Sequence, residues 1–232
     1  MGYFQLLEEM SMSVAEGITK ENLVGMIRIV SAKIDEQKEY LSRLDTEIGD
    51  GDHGFSMANG FRNLNSKLDE FSKLDIGEML KKCGFELIKT IGGAAGAVFG
   101  TLFTGQAAYY TRQISGKHVL SLGDIANMWT EALNQIKVMG QAKQGDKTMV
   151  DALEPAVFEL KKGAEDQLSF SEAFTNAARR AKEGAEKTKD MVAKRGRSRN
   201  LAERSLGFID PGAMSTYFII NAIAEYLKEA GK

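Results

Sequence analysis

A single cysteine and two prolines among 232 residues set the first limits on this chain. Cys83 has no second thiol with which to form an intramolecular disulfide, which fits a reducing compartment. With so few prolines, and with apolar residues recurring mostly at steps of three and four, strands have almost no foothold. Nowhere do about 18 apolar residues run uninterrupted, the minimum for a membrane span. The opening stretch, residues 1–13, carries Glu8 and Glu9, lacks a basic n-region, and has Leu6 where a myristoylation signal needs Ser or Thr. Neither an export signal nor a lipid anchor is expected, and the expected location is the cytoplasm. A net charge of −2 leaves no electrostatic footprint for nucleic acid. No G-x-G-x-x-G follows a strand and no Walker A sequence occurs, so the nucleotide folds that those motifs mark are not indicated.

What the chain does have is apolar material for one good core, 43% hydrophobic against 27% charged, at a length near the upper end for a single domain. We read residues 1–232 as one all-α domain, with residues 1–19 as an N-terminal extension. The first long helix is expected from about Lys20 to Leu44, with Leu23, Met26, Ile27, Val30, Ile34, Leu41 and Leu44 inward and Lys33, Glu36 and Lys38 outward. A second carries Met57, Phe61, Leu64 and Leu68 and ends near Phe71; a third, from about Ile76, places Met79, Leu80, Cys83, Leu87 and Ile88 on one face. Further periodic stretches run through Val98 to Tyr110 and, around a core Trp129, from Leu122 to Val138. The next holds Met149, Leu153 and Leu160, with Thr148 as a candidate cap and Pro155 in or near its first turns. An alanine-rich helix through Phe174 follows, capped by Ser169 or Ser171, and Asp210-Pro211 starts the last with a capping acid and Pro at its first position.

The chemistry concentrates in residues 45–54, DTEIGDGDHG, where Asp45, Asp50 and Asp52 stand beside glycines that allow a tight turn. Like charges so close raise one another's pKa, so an ionised cluster calls for a compensating cation. All-oxygen ligands point to Mg²⁺ or Mn²⁺. An EF-hand is ruled out, because its turn glycine would fall on Phe55 and its bidentate acid on Phe61. A solvated Asp/Gly turn between helices is the plain alternative. Against it, the turn leads into an apolar helical stripe, and a helix start attracts anions, so metal and phosphate could meet there.

Two other stretches bear on this. Ile91-Gly92-Gly93-Ala94-Ala95-Gly96-Ala97 allows close backbone approach, either for tight helix packing or for cradling phosphate with main-chain N–H groups. Lys194 to Arg199 is the strongest basic cluster, read either as a solvated loop or as a phosphate or RNA contact.

Four motifs, IGDGDHG (48–54), IGGAAGAVFGTLF (91–103), GDKTMVDAL (145–153) and GRSRNLAERSLGFIDPGA (196–213), follow one another along the chain. In that order they resemble the L subunit of dihydroxyacetone kinase, over nearly everything beyond the extension. The resemblance implies an antiparallel barrel of about eight amphipathic helices with a nucleotide, ADP or ATP, at one end. It implies that Asp45, Asp50 and Asp52 bind a pair of Mg²⁺ ions bridging the nucleotide phosphates and so form the catalytic centre. His53, Gly54, Phe55 and Ser56 would lie at the phosphate-binding helix start, and Ala94 and Ala95 would offer main-chain groups. Gly140 and Met149 would shape the nucleotide pocket, while Arg197, Asp210, Pro211 and Gly212 would close it.

It further implies that the chain works with others. A K-like subunit would hold the small ketose through a histidine of its own, so His53 is not expected to be that covalent group. ADP would stay bound and be rephosphorylated by an M-like protein of the phosphotransferase system; an ATP-exchanging subunit and a non-catalytic, nucleotide-dependent regulatory module are the alternatives. No nucleic-acid or membrane partner is implied. Four positions depart from the family pattern: Ser56 stands where Asn is common, Ala95 for Ser, Ala202 for Gly and Phe208 for His. The first two lie near the expected phosphates. Loss of one charge-assisted hydrogen bond costs about 1.5 to 3 kcal/mol, tenfold or more in affinity, so binding is expected to weaken and survive.

Overall fold

Amphipathic stripes that cannot be buried alone explain the architecture. In the computed structural model, which describes residues 17–231, they pair off around one axis. Among the described residues there are eight α-helices: α1 (Lys20–Ile48), α2 (His53–Phe71), α3 (Ile76–Ile91), α4 (Gly93–Gln113), α5 (Leu122–Gly140), α6 (Val150–Glu165), α7 (Phe170–Lys187) and α8 (Pro211–Ala230). Two 3-10 segments, Thr188–Asp190 and Arg197–Ser205, lie between α7 and α8. Each helix packs against its successor and α8 returns to α1, which closes the expected antiparallel barrel. One isolated antiparallel bridge, Ile18 to Leu120, ties the start of the described chain to the loop before α5. The readings made for residues 1–13 lie outside the described residues, as does most of the extension. No described helix is long and apolar enough to cross a membrane.

The interior is filled by the predicted stripes. Met57, Phe61, Leu64 and Leu68 of α2 are fully enclosed, and Trp129 meets Phe174 edge-on with ring centroids 6.1 Å apart. Cys83 is core, and burial pushes its thiol up to about 12, so it is an inert side chain. Several expectations need correction. The first helix runs a turn past Leu44, to Ile48, and Leu44 itself is only half-buried. Lys33, expected outward, is buried; its ammonium lies 3.4 Å from both Glu36 and Glu225, and its apolar stem follows the α1–α8 seam. Ile88, expected inward, is 37% exposed because it lies across Gly100 of α4, where a side chain would collide with it. Pro155 lies in the early turns of α6, as expected. Thr148 accepts the Val150 N–H at 3.2 Å, although Met149 holds the cap position.

The two ends of the barrel differ in their capping chemistry. At one end α1, α3, α5 and α7 begin with side-chain caps, from Thr19, Asp75, Ser121 and Ser169. At the other end the cap residues of α2, α4 and α6 (Asp52, Gly92 and Met149) make no side-chain capping bond. The first end is a closed structural base. The second presents helix starts whose main-chain N–H groups are available to a ligand, and it carries all four sequence motifs.

Close crossings set the geometry of that second end. A Cβ at Gly54 would overlap the Lys38 carbonyl and the Ser42 nitrogen of α1, so only glycine lets the start of α2 lie against α1. Gly54→Ala is expected to lower unfolding free energy by more than about 2 kcal/mol in urea denaturation. Gly123, whose Cβ would meet nothing nearer than 3.8 Å, provides the control. Gly123→Ala should stabilise α5, by up to about 1 kcal/mol.

Candidate functional site

The last turn of α1 holds Asp45, and a tight turn through Gly51, at φ 79°, brings Asp50 and Asp52 back beside it. One carboxylate oxygen from each lies within 4.8 Å of the others. Asp45 is buried and anchored, accepting the His53 N–H at 3.2 Å, whereas Asp50 and Asp52 are exposed and free to turn toward an ion. The Arg197 guanidinium pairs directly with Asp50 and lies 3.7 Å from Asp52, so the chain itself supplies a balancing cation. Three hard oxygen donors, one fixed and two adjustable, fit Mg²⁺ or Mn²⁺, ions that normally retain several ligands from water or phosphate.

The cluster forms one edge of a cleft of about 310 Å³. Opposite it, Gly92 at φ 71° turns α3 into α4 within one residue and sets Ala94 and Ala95 at the cleft wall. Val98, Phe99, Ile136 and Met149 make an apolar side, and the loop before α8 brings Arg195, Gly196 and Arg197 over the mouth. Apolar walls beside open helix starts and a carboxylate cluster suit a ligand with a flat apolar part and a polyanionic tail.

Two titratable groups line the inner wall. His53 Nε2 lies 2.8 Å from the Ser215 hydroxyl. Burial pushes this imidazole down to about 4, against the pull of Asp45 and the Pro211 backbone, so it is neutral near pH 7 and cannot act as a cation there. Asp210 caps α8 by accepting the Ala213 N–H at 2.7 Å, and burial pushes its carboxyl up to about 7.

The structure brings nearly all the sequence-predicted residues to this one cleft. Asp45, Asp50, Asp52, His53, Ser56, Ala94, Ala95, Gly140, Met149, Arg197, Asp210, Pro211 and Gly212 line it. Two do not. Gly54 is packed against α1, and the Phe55 side chain points outward at 56% exposure, so each can offer only its main chain. Sequence reading missed Phe99, Ile136, Ala142, Lys147 and Ser198. The apolar ones gave no signal distinct from core periodicity, while Lys147 lay in view within the GDKT motif.

His53 and Asp210 have opposite effects on stability. A raised Asp210 contributes stability below about pH 3.8 that is lost as pH rises through about 7; a depressed His53 contributes stability above about pH 6.5 that is lost as pH falls through about 4. Between these limits the two slopes cancel in part. Asn at position 210 keeps a capping oxygen but cannot ionise. In metal-free protein, Asp210→Asn should therefore give an unfolding free energy that climbs with pH between about 4 and 6.5, by up to about 1.4 kcal/mol per unit relative to the unsubstituted chain. Urea titrations across that range check this, and parallel profiles would contradict it.

Comparison with known proteins agrees with the geometry. The DAK2 domain family matches residues 47–225. The chain is 35% identical over 207 residues to the ADP-binding subunit DhaL of PEP-dependent dihydroxyacetone kinase 2 from Listeria innocua, covering 88% of this chain and 94% of that one. It is 39% identical over 193 residues to the Escherichia coli ADP-binding subunit DhaL, covering 83% and 90%. Among solved structures, the dihydroxyacetone kinase from C. freundii in complex with AMP-PNP and Mg²⁺ superposes with a TM-score of 0.68 at 26% identity, over 87% of this chain and 33% of that longer one. A closed eight-helix barrel, a carboxylate-edged cleft and relatives matched along nearly their whole length lead to one assignment: the chain belongs to the DAK2 domain family, with the L subunits of dihydroxyacetone kinases.

Proposed function

We propose that this chain is the nucleotide-holding subunit of a kinase that acts on dihydroxyacetone or a related small ketose. In this reading ADP and Mg²⁺ occupy the cleft, a phosphotransferase-system protein rephosphorylates the ADP, and the phosphoryl group passes to a ketose held on a K-like partner in the cytoplasm. The observation that carries it is the convergence of Asp45, Asp50 and Asp52 with the open starts of α2 and α4 on one cleft. The printed names of the Listeria and E. coli relatives, which are PEP-dependent and ADP-binding, favour the phosphotransferase donor. The AMP-PNP complex of the C. freundii enzyme keeps direct use of ATP as the second reading.

Bound Mg²⁺ would neutralise phosphate oxygens and orient the group in transfer. The chain's own residues do the rest. Asp45 is the fixed ligand, and Asp50 and Asp52 complete the set when Arg197 turns from them to a phosphate. Main-chain N–H groups at Gly54, Phe55, Ala94 and Ala95 lie at helix starts, where they stabilise added negative charge without reorganising. Neutral His53, held by Ser215, supplies a fixed hydrogen-bonding wall and not a base. Around the mouth, Phe55, Val138 and Met139 are exposed, an apolar rim that suits a docking partner.

Denaturing the purified protein should release ADP at close to one per chain, and prior chelation should strip it; release of no nucleotide, with no binding of Mg-ADP or Mg-ATP afterwards, would sink the proposal. Exchangeable Mg-ATP in place of retained ADP would favour the second reading. Asp50→Ala and Asp52→Ala should each lower ketose phosphorylation by about 10²-fold or more with a K-like partner supplied, and full turnover would instead leave a non-catalytic regulatory module. Restoring the family's side chains, with Ser56→Asn or Ala95→Ser, should tighten Mg-ADP by about tenfold in calorimetric titration.

A further inference from the structure

Lys147 is one of the largest fully buried side chains, 1% exposed, and the reading of the site above leaves it without a role. Its ammonium has three N–H donors and three partners, the carbonyls of Thr188, Ser205 and Phe208, at 2.7, 2.8 and 2.5 Å. One of these carbonyls lies at the start, and two lie near the end, of the segment 188–210 that crosses the cleft mouth between α7 and α8 and carries Arg197. Other contacts also reach that segment: the Lys194 N–H donates to the Asp146 carbonyl at 3.1 Å, the Lys194 ammonium to the Gly145 carbonyl at 3.1 Å, and the Asp146 carboxylate lies 3.7 Å from Lys194 and 3.8 Å from Arg195. Ser205 accepts the Ala193 N–H at 2.9 Å and donates to the Ala202 carbonyl at 2.6 Å, and Gly207 donates to the Lys189 carbonyl at 2.7 Å. Its fold is also strained, because Ala202 takes φ 48°, ψ −125°, a conformation that favours glycine. A segment with a strained residue keeps one shape only if other contacts fix it, and the Lys147 ammonium is the buried contact that joins the segment's two ends.

We infer that Lys147 is a positioning residue that pins the segment 188–210 across the cleft so that Arg197 is presented to the carboxylates and to the phosphate end of the ligand. Its three donors are all taken by the segment's carbonyls, so it acts through Arg197. Three carbonyls from one segment converge on a single ammonium, a geometry that only a point-like cation with three donors can satisfy, so arginine at this position would not substitute. The inference rests on the nucleotide reading for its consequence but not for the pin itself.

Two measurements on the full chain test it. The first is limited trypsin digestion without ligand, where Lys147→Met should speed cleavage at the basic residues of 188–210, Lys194, Arg195, Arg197 and Arg199 foremost, by about tenfold while leaving cleavage outside that segment unchanged. Equal rates, or faster cleavage throughout the chain, would overturn the pin. The second is release of a fluorescent Mg-ADP analogue from four proteins: unsubstituted, Lys147→Met, Arg197→Ala and the double variant. Lys147→Met should speed release about tenfold alone and less than about twofold when Arg197 is already absent. Effects that multiply in full would show a merely structural lysine and overturn the positioning role. Should Lys147→Met not fold, Ser205→Ala loosens the same segment without stranding a buried carbonyl set, and must show the same coupling to Arg197. Failure of the unsubstituted protein to bind the analogue would refute the nucleotide reading, and the digestion would still decide the pin.

Discussion

Three carboxylates within 4.8 Å of one another repel, and the structure of one whole end of the barrel follows from how that repulsion is balanced. One of the three is fixed by burial and by the first N–H of α2; the other two are left exposed and meet the guanidinium of Arg197. An arrangement with one rigid and two movable acids, opposite a movable arginine side chain, can take a metal in place of the arginine while the arginine turns to a phosphate. That exchange is the chemical basis of the function proposed.

The barrel divides its work between its ends. Side-chain caps at Thr19, Asp75, Ser121 and Ser169 satisfy the helix starts of the base. At the other end Asp210 caps α8, but the starts of α2 and α4 are left for a ligand, and the helices are brought close enough to share one by glycine at Gly54 and a one-residue turn at Gly92. Stability and binding are thereby separated along the axis. The enclosed stripes of α2, α3 and α6 hold the barrel whether or not the cleft is filled.

Much of this was legible in the residues. Periods of three and four placed the helices, and Asp210-Pro211 marked the start of α8 because capping acid and proline act locally. The acidic turn was legible for the same reason. Other features depend on contacts far apart in sequence. Lys33 reads as a surface residue until Glu225, on the last helix, comes beside it. Ile88 fits the inward stripe of α3 until Gly100 opens a groove on the other side. Phe55 carries the family motif, but only the packing of Gly54 decides that its ring faces out. Lys147 stood in view within the GDKT motif, but its role did not, since its three partners are backbone carbonyls, which any sequence would provide.

The central claim is that Asp45, Asp50 and Asp52 bind metal together with nucleotide. The most direct test is a Mn²⁺ titration followed by electron paramagnetic resonance, with and without ADP, on the unsubstituted chain and on Asp50→Ala. The account predicts weak Mn²⁺ binding by the chain alone, binding of about two ions per chain that tightens at least tenfold with ADP, and loss of that tightening in the variant. Mn²⁺ binding that ignores ADP, or that survives Asp50→Ala unchanged, would contradict it.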